Sequence, residues 1–238
     1  MLARPRGAVQ RQTGTTETLY LYEAIGADWF GDGITAANIV PWLGNLQGVA
    51  ALDVRINSAG GDVFDGLAIF NALRRLSEQG VTVTTYIDGM AWSIASVIAM
   101  AGDVVHIASN AQYMIHNPAA IAYADADELR KLADTLDATK DSLIDAYQLH
   151  TAAGKQKLSD WMDAETWFTA TQTVDAGFAD TVDEALPIAA CYPRNMRFRN
   201  MPKWVKPAAA ARPHYERRIA AVRERQRNFI ERRRAVTK

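Results

Sequence analysis

An α/β domain built on a largely parallel sheet is the fold class this sequence predicts, and three observations predict it. Segments of strand character alternate with segments of helical period along most of the chain. The strand segments are nearly continuously apolar, as in a sheet covered on its faces. The length of 238 residues suffices for one large domain, or for a domain with an appendage.

Residues 1–16 read as a flexible lead. ETLYLYEAI follows with the alternation of a strand, and GDGITAANIVPWLGNL reads as a short helix preceded by turn residues. GVAALDVRIN is a second strand, and the loop NSAGGD leads from it into VFDGLAIFNALRRLSEQ. Apolar residues there fall at 63, 64, 67, 70, 73 and 76, a helical spacing. VTVTTYID is β-branched and strand-like, and GMAWSIASVIAMAG after it turns helical from Ser93. DVVHIAS and QYMIH read as two further short strands. From Asp125 to about Thr151 a long helix carries Leu129, Leu132, Leu136, Leu143 and Tyr147 on its apolar stripe. KLSDWMDAETWFTATQTVDAG supplies a short helix, a link and another helix stopped at Gly177, and FADTVDEA reads as a last strand.

Composition narrows the function. With 49% hydrophobic and 22% charged residues, the chain is of ordinary globular type. No apolar run is long enough to cross a bilayer, and the first residues hold no apolar signal core, so neither a membrane nor a secretory address is expected. Cys191 is the one cysteine, which excludes an internal disulfide framework and fits a cytoplasmic setting. No metal or other cofactor is expected. The net charge of −1 hides a division: residues 1–193 hold 11 Lys/Arg and 24 Asp/Glu, whereas residues 194–238 hold 15 and 3. Residues 185–211, rich in Pro and Ala, read as a linker. Residues 212–238 read as a basic amphipathic helix with Tyr215, Ile219, Val222, Phe229 and Val236 on one seam.

Ser93 stands where a strand gives way to a helix. On this stretch alone a helix N-cap is the first reading of Ser93, and a nucleophile held at a turn is the alternative. The flanking Ala91 and Ala95 depart from the GxSxG elbow but are small enough for a sharp turn. A nucleophilic serine needs a base. Of the four histidines, His116 is the best candidate, because it sits at a strand end before Asn117 and Pro118. Gly60 and Gly61 fit a tight turn. They also fit a loop whose N–H groups approach a ligand closely, as oxyanion donors do.

Taken together, INSAGGDVFDGLAIFNALR, GMAWSIASVIAMAGD, QYMIHNP and ETWFTATQTVDAGFAD resemble, in order, the segments of the proteolytic subunit of Clp protease. The likeness spans residues 17–184 and is nearest the head-maturation, or prohead, proteases of tailed phages; Ala59 stands where the family usually has Pro. The resemblance implies the stacked β-β-α units of the ClpP/crotonase-like fold, with the long helix as its handle. It assigns Ser93 as nucleophile, His116 as general base, and the N–H groups of Gly61 and Ile94 as oxyanion donors, with substrate strands added beside Gly60 and Gly61. The Ile94 amide adjoins the nucleophile at a helix start, where N–H groups lack acceptors. Glu165 aligns where the family usually has Asp as the third triad member, and Asp163 is the alternative acid.

The resemblance further implies a homo-oligomeric ring, commonly a heptamer and stacked in pairs, acting on polypeptides. The phage branch would make the substrate scaffold, capsid or portal protein inside an assembling prohead in the host cytoplasm. An acidic partner such as scaffold protein would suit the basic helix, as would the chain's own acidic body; nucleic acid is disfavoured by the sparse aromatic interleaving. Three other readings compete. One is a cytoplasmic Clp-type peptidase served by a separate ATPase; the lack of a Walker motif, and an N-terminal segment unlike the family's axial docking loops, favour the phage branch over it. Another is a ring-forming assembly factor without activity. The last is a crotonase-type acyl-CoA enzyme, which would not need the Ser93–His116 pair.

Overall fold

The computed structural model describes residues 15–26, 33–186, 198–203 and 205. A seven-stranded sheet forms its centre. Strands β1 (Thr15–Leu21), β2 (Val49–Ser58), β3 (Thr82–Trp92), β4 (Val104–Ala108) and β7 (Thr181–Asp183) lie side by side in that order, every pair parallel. The expected α/β class with a parallel sheet is therefore the one found. β1 takes in Thr15 and Thr16, two residues earlier than the strand read from the sequence.

β3 serves two neighbours along its length. Its first half pairs with β4 through Thr84–Ile87, and its last three residues pair with β5 (Gln112–Ile115). β6 (Thr166–Thr169) then runs antiparallel to β5. This strand was expected to be a link between helices. TWFT is only four residues long and sits directly between helix-forming stretches, so its pairing with β5 is a tertiary choice that local pattern does not announce.

The helices lie where the sequence puts them. α1 (Ala36–Gly44) is capped by Thr35, and α2 (Val63–Glu78) by Asp62, whose carboxylate accepts the Asp65 N–H at 2.8 Å. α3 (Ile94–Ala99) is buried throughout. α4 (Ala126–Tyr147) opens with a capping box between Asp125 and Glu128. α5 (Lys155–Asp163) and α6 (Ala170–Asp175) complete the set.

Leu52, Val54, Ile56, Val83 and Ile87 face a core shared with α2, α3 and the end of α4. The opposite face was expected to be covered as well. In the single chain it carries half-buried Asp53, Arg55, Tyr86 and His106 instead, with the Arg55 guanidinium over the Tyr86 ring and Tyr86 stacked on His106. α4 is likewise seated only at its end. Leu143, Ile144 and Tyr147 are buried, whereas Leu129 of the expected stripe is 46% exposed. No helix among the described residues is long and apolar enough to cross a membrane.

The expected linker, residues 185–211, is packed in part. Phe198 and Val205 join a small cluster with Ala59, Met90, Trp92, Met114 and Trp167. The expected basic helix, residues 212–238, and most of the lead, residues 1–14, lie outside the described residues.

Candidate active site

The site forms where β2, β3 and β5 end, the edge at which open α/β sheets place their ligands. β2 runs out into Ala59–Gly61. Gly60 has φ +87° and Gly61 φ +149°, conformations that a side chain resists. Close approach is the second reason for glycine here. A Cβ at position 60 would stand 2.7 Å from both the Ser93 Cβ and the Trp92 carbonyl oxygen, and one at 61 would stand 2.0 Å from the Ile25 oxygen. The loop is anchored to Ile25 by Ile25 N–H to the Gly60 oxygen at 2.9 Å and Asp62 N–H to the Ile25 oxygen at 2.8 Å. That ladder uses the amides of 25 and 62 and leaves the Gly61 N–H out of it.

Ser93 joins β3 to α3 with φ +55° and ψ −132°. A non-glycine residue in that region costs on the order of 1–3 kcal/mol and persists only where its surroundings enforce it. Here the Ser93 N–H donates to the Met114 oxygen of β5 at 2.9 Å, while the Ser93 carbonyl accepts from the N–H and the hydroxyl of Ser96. Ser96 in turn meets the Tyr147 hydroxyl at 2.7 Å, and the Tyr113 hydroxyl donates to the Ser96 carbonyl at 2.9 Å. The elbow is thereby tied to the last turn of α4. Ser93 occupies the N-cap position of α3 but makes no capping bond with its side chain. Its Oγ lies instead 2.8 Å from His116 Nε2.

His116 is the residue after β5, so the β3–β5 pairing sets its distance from Ser93. Burial lowers its pKa below the ordinary histidine value; Glu165 opposes that shift and Arg199 adds to it. The ring is therefore neutral near pH 7 and able to accept a proton. Of the other histidines, His106 contacts Thr181 and Asp183, His150 contacts the Met100 oxygen, and His214 lies outside the described residues.

The two acids proposed from sequence have different surroundings. Asp163 is exposed, paired with Lys140 Nζ at 2.7 Å and accepting from Asn117 Nδ2 at 2.7 Å. These partners hold its carboxyl below the usual aspartate range. Glu165 is 3% exposed and has φ +50°, the second non-glycine residue at positive φ among those described. Its carboxylate accepts from Arg199 N–H at 2.8 Å, Asn200 N–H at 2.8 Å and Trp167 Nε1 at 3.3 Å. It acts on His116 as a neighbouring charge, not as a hydrogen-bond partner. The structure thus brings Ser93, His116, Gly60, Gly61, Ile94 and Glu165 to one place and leaves Asp163 on the surface.

Sequence reasoning missed Trp167, Phe198, Arg199 and Asn200. The Phe198 ring lies 6.1 Å from the His116 ring, 5.6 Å from Trp92 and 5.3 Å from Trp167. Only Trp167, two residues from the acid, left any trace in the sequence. The other contributions are main-chain donors or packing from a stretch of linker composition.

Comparison with known proteins gives a consistent picture. The model of the family described as Clp protease matches residues 35–185. The chain is 31% identical over 133 residues to the ATP-dependent Clp protease proteolytic subunit of Deinococcus radiodurans, covering 55% of this chain and 64% of that relative. It is 30% identical over 129 residues to proteolytic subunit 2 of Thermobifida fusca, covering 53% and 62%. These matches span less than two thirds of each relative's length. Among solved structures, a ClpP1 point mutant from Listeria monocytogenes superposes with a TM-score of 0.59 at 21% identity, covering 70% of this chain and 91% of that one, a likeness of fold.

Proposed function

The chain belongs to the Clp protease family, and from that premise we propose that it is a serine endopeptidase worked by Ser93, His116 and Glu165. One observation carries the reading: the Ser93 hydroxyl, held on a strained elbow, lies 2.8 Å from a half-buried His116 imidazole. His116 Nε2 takes the hydroxyl proton as Oγ bonds to the scissile carbonyl carbon. The carbonyl electron pair moves onto oxygen, where the Gly61 and Ile94 N–H groups receive it. The intermediate collapses, the C–N bond breaks, and the leaving nitrogen takes the proton from His116. Water repeats the sequence on the acyl-Ser93 ester. The Glu165 charge favours the imidazolium formed at each step.

Residues 17–184 form the peptidase domain in this reading, and the substrate is extended polypeptide added as a strand beside Gly60 and Gly61. The protein works as a homo-oligomeric ring. Its finer role is head maturation: cleavage of scaffold, capsid or portal segments within an assembling phage prohead. The strongly basic 194–238 extension supports that role, because it offers an acidic scaffold a binding element apart from the acidic body. A second reading rests on the relatives above, whose names are those of ATP-dependent Clp subunits. In it, the chain cleaves what a separate ATPase unfolds.

Cleavage of an unfolded polypeptide by the wild type, lost in Ser93→Ala, tests the peptidase reading; no cleavage by an assembled wild type contradicts it. Supplying scaffold-filled shells without ATP in one reaction, and a folded substrate with an unfoldase and ATP in another, separates the two roles.

A further inference from the structure

The segment from Phe198 to Val205 does more than leave the domain. Its main chain turns two successive N–H groups onto the two oxygens of one buried carboxylate: Arg199 to Oε2 and Asn200 to Oε1 of Glu165, each at 2.8 Å. The segment is fastened on both sides of that contact. Asn200 Nδ2 donates to the Ala164 oxygen at 2.7 Å, Phe198 packs among His116, Trp92 and Trp167, and Val205 is 4% exposed. Glu165 needs such a clamp. It is one methylene longer than an aspartate, and its own hydrogen bonds do not reach the imidazole, so its carboxylate must be fixed by something else. Two main-chain amides and an indole N–H supply three charge-assisted bonds.

We propose that the Arg199 and Asn200 amides are positioning groups for catalysis, holding the Glu165 carboxylate beside His116 so that the Ser93 nucleophile depends on a segment beyond the sheet. The proposal rests on the peptidase reading. Charged groups facing His116 come from two elements only among the described residues: Glu165 before β6, and Arg199 on the segment itself. The segment therefore sets both the place of the negative charge and the distance of a positive one.

Proline tests the amides directly because it deletes the N–H; it also fixes φ and restricts the residue before it, so the dependence of its effect on the Glu165 charge is what separates the clamp from a general backbone change. The rate of active-site labelling by a fluorophosphonate probe is measured on the full chain. The variants are Arg199→Pro, Asn200→Pro, Arg199→Ala and Asn200→Ala, each also made with Glu165→Gln, and each checked for folding by thermal melting. Each proline variant is expected to label about tenfold more slowly than the alanine variant at the same position, the loss typical of a charge-assisted bond. With Glu165→Gln present, that difference is expected to shrink below about twofold, since the clamp then has no charge to hold. A purely structural role for the segment would leave the tenfold gap intact in the Glu165→Gln background, and that result overturns the proposal. So does equal labelling of the proline and alanine variants while the wild type reacts. A wild type that takes no label at all overturns the peptidase reading and this inference together.

Discussion

His116 Nε2 stands 2.8 Å from Ser93 Oγ, although the two residues are 23 positions apart and follow different strands. The distance is set by the parallel pairing of Met90–Trp92 with Gln112–Met114, which brings the ends of β3 and β5 level. The elbow at Ser93 then swings the hydroxyl toward the ring. The predictions below follow from how that pair is supported and charged.

The acid limb of activity should lie low. His116 must be neutral to accept the proton, and burial holds its pKa below the usual value of about 6.5. Labelling rate plotted against pH is expected to be flat from pH 7 upward and to fall only below about 6.5. Glu165→Gln removes the charge that opposes the shift. Its limb should move to still lower pH while its plateau drops on the order of 100-fold.

Asp163→Asn should behave differently. That carboxylate bonds Lys140 and Asn117 on the surface, so its loss is expected to change the labelling rate by less than about threefold, within the range of an exposed ion pair. A kinetic comparison of the two acid variants decides between the acids suggested by sequence.

Gly60→Ala should cost both stability and reactivity. The added Cβ would meet Ser93 Cβ and the Trp92 oxygen at 2.7 Å, on a backbone with φ +87°. Destabilisation of about 1–3 kcal/mol is expected from strain and overpacking. A denaturant melt measures it, and labelling of the folded fraction should be nearly abolished.

Tyr147→Phe removes the hydroxyl that holds Ser96, which in turn holds the Ser93 carbonyl. A loss of about 1 kcal/mol in stability is expected for one buried hydrogen bond. A several-fold slower labelling rate should accompany it, because the elbow loses a restraint. Ser96→Ala should exceed it in both measures, since it removes two partners.

Acid should also weaken the fold. His116 and His150 are both depressed by burial, so the unfolded chain binds more protons than the native one as pH falls. Their contribution to stability is full above about pH 6.5, the unfolded value, and is lost as pH falls through the lower folded values. Melting temperatures at pH 7.5 and 5 should show the decline, and His150→Gln should make it shallower.

Much of this site was written in local strings. Ser93 and His116 stand at strand ends whose apolar runs are unmistakable, and Gly60–Gly61 announce a loop where side chains do not fit. The proposed third member is legible only as a pair of acids, because Asp163 and Glu165 are both carboxylates and burial is what separates their surroundings. β6 escaped because TWFT gains its identity from β5 rather than from its own period. The clamp on Glu165 escaped for another reason: amide donors carry no side-chain signature, and the Pro- and Ala-rich composition around them looked like linker. The half-open sheet face and the exposed part of α4 could not be told from core by apolar spacing alone, since neighbouring strands and turns decide which face is covered.

The most direct measurement is the mass of the peptide that carries residue 93 after exposure of the assembled, uninhibited protein to a fluorophosphonate. The account requires one adduct, on Ser93, absent from Ser93→Ala and formed far more slowly in His116→Ala. An adduct on another residue, or one that forms on Ser93 as fast without the imidazole as with it, would contradict the pairing on which every other claim depends.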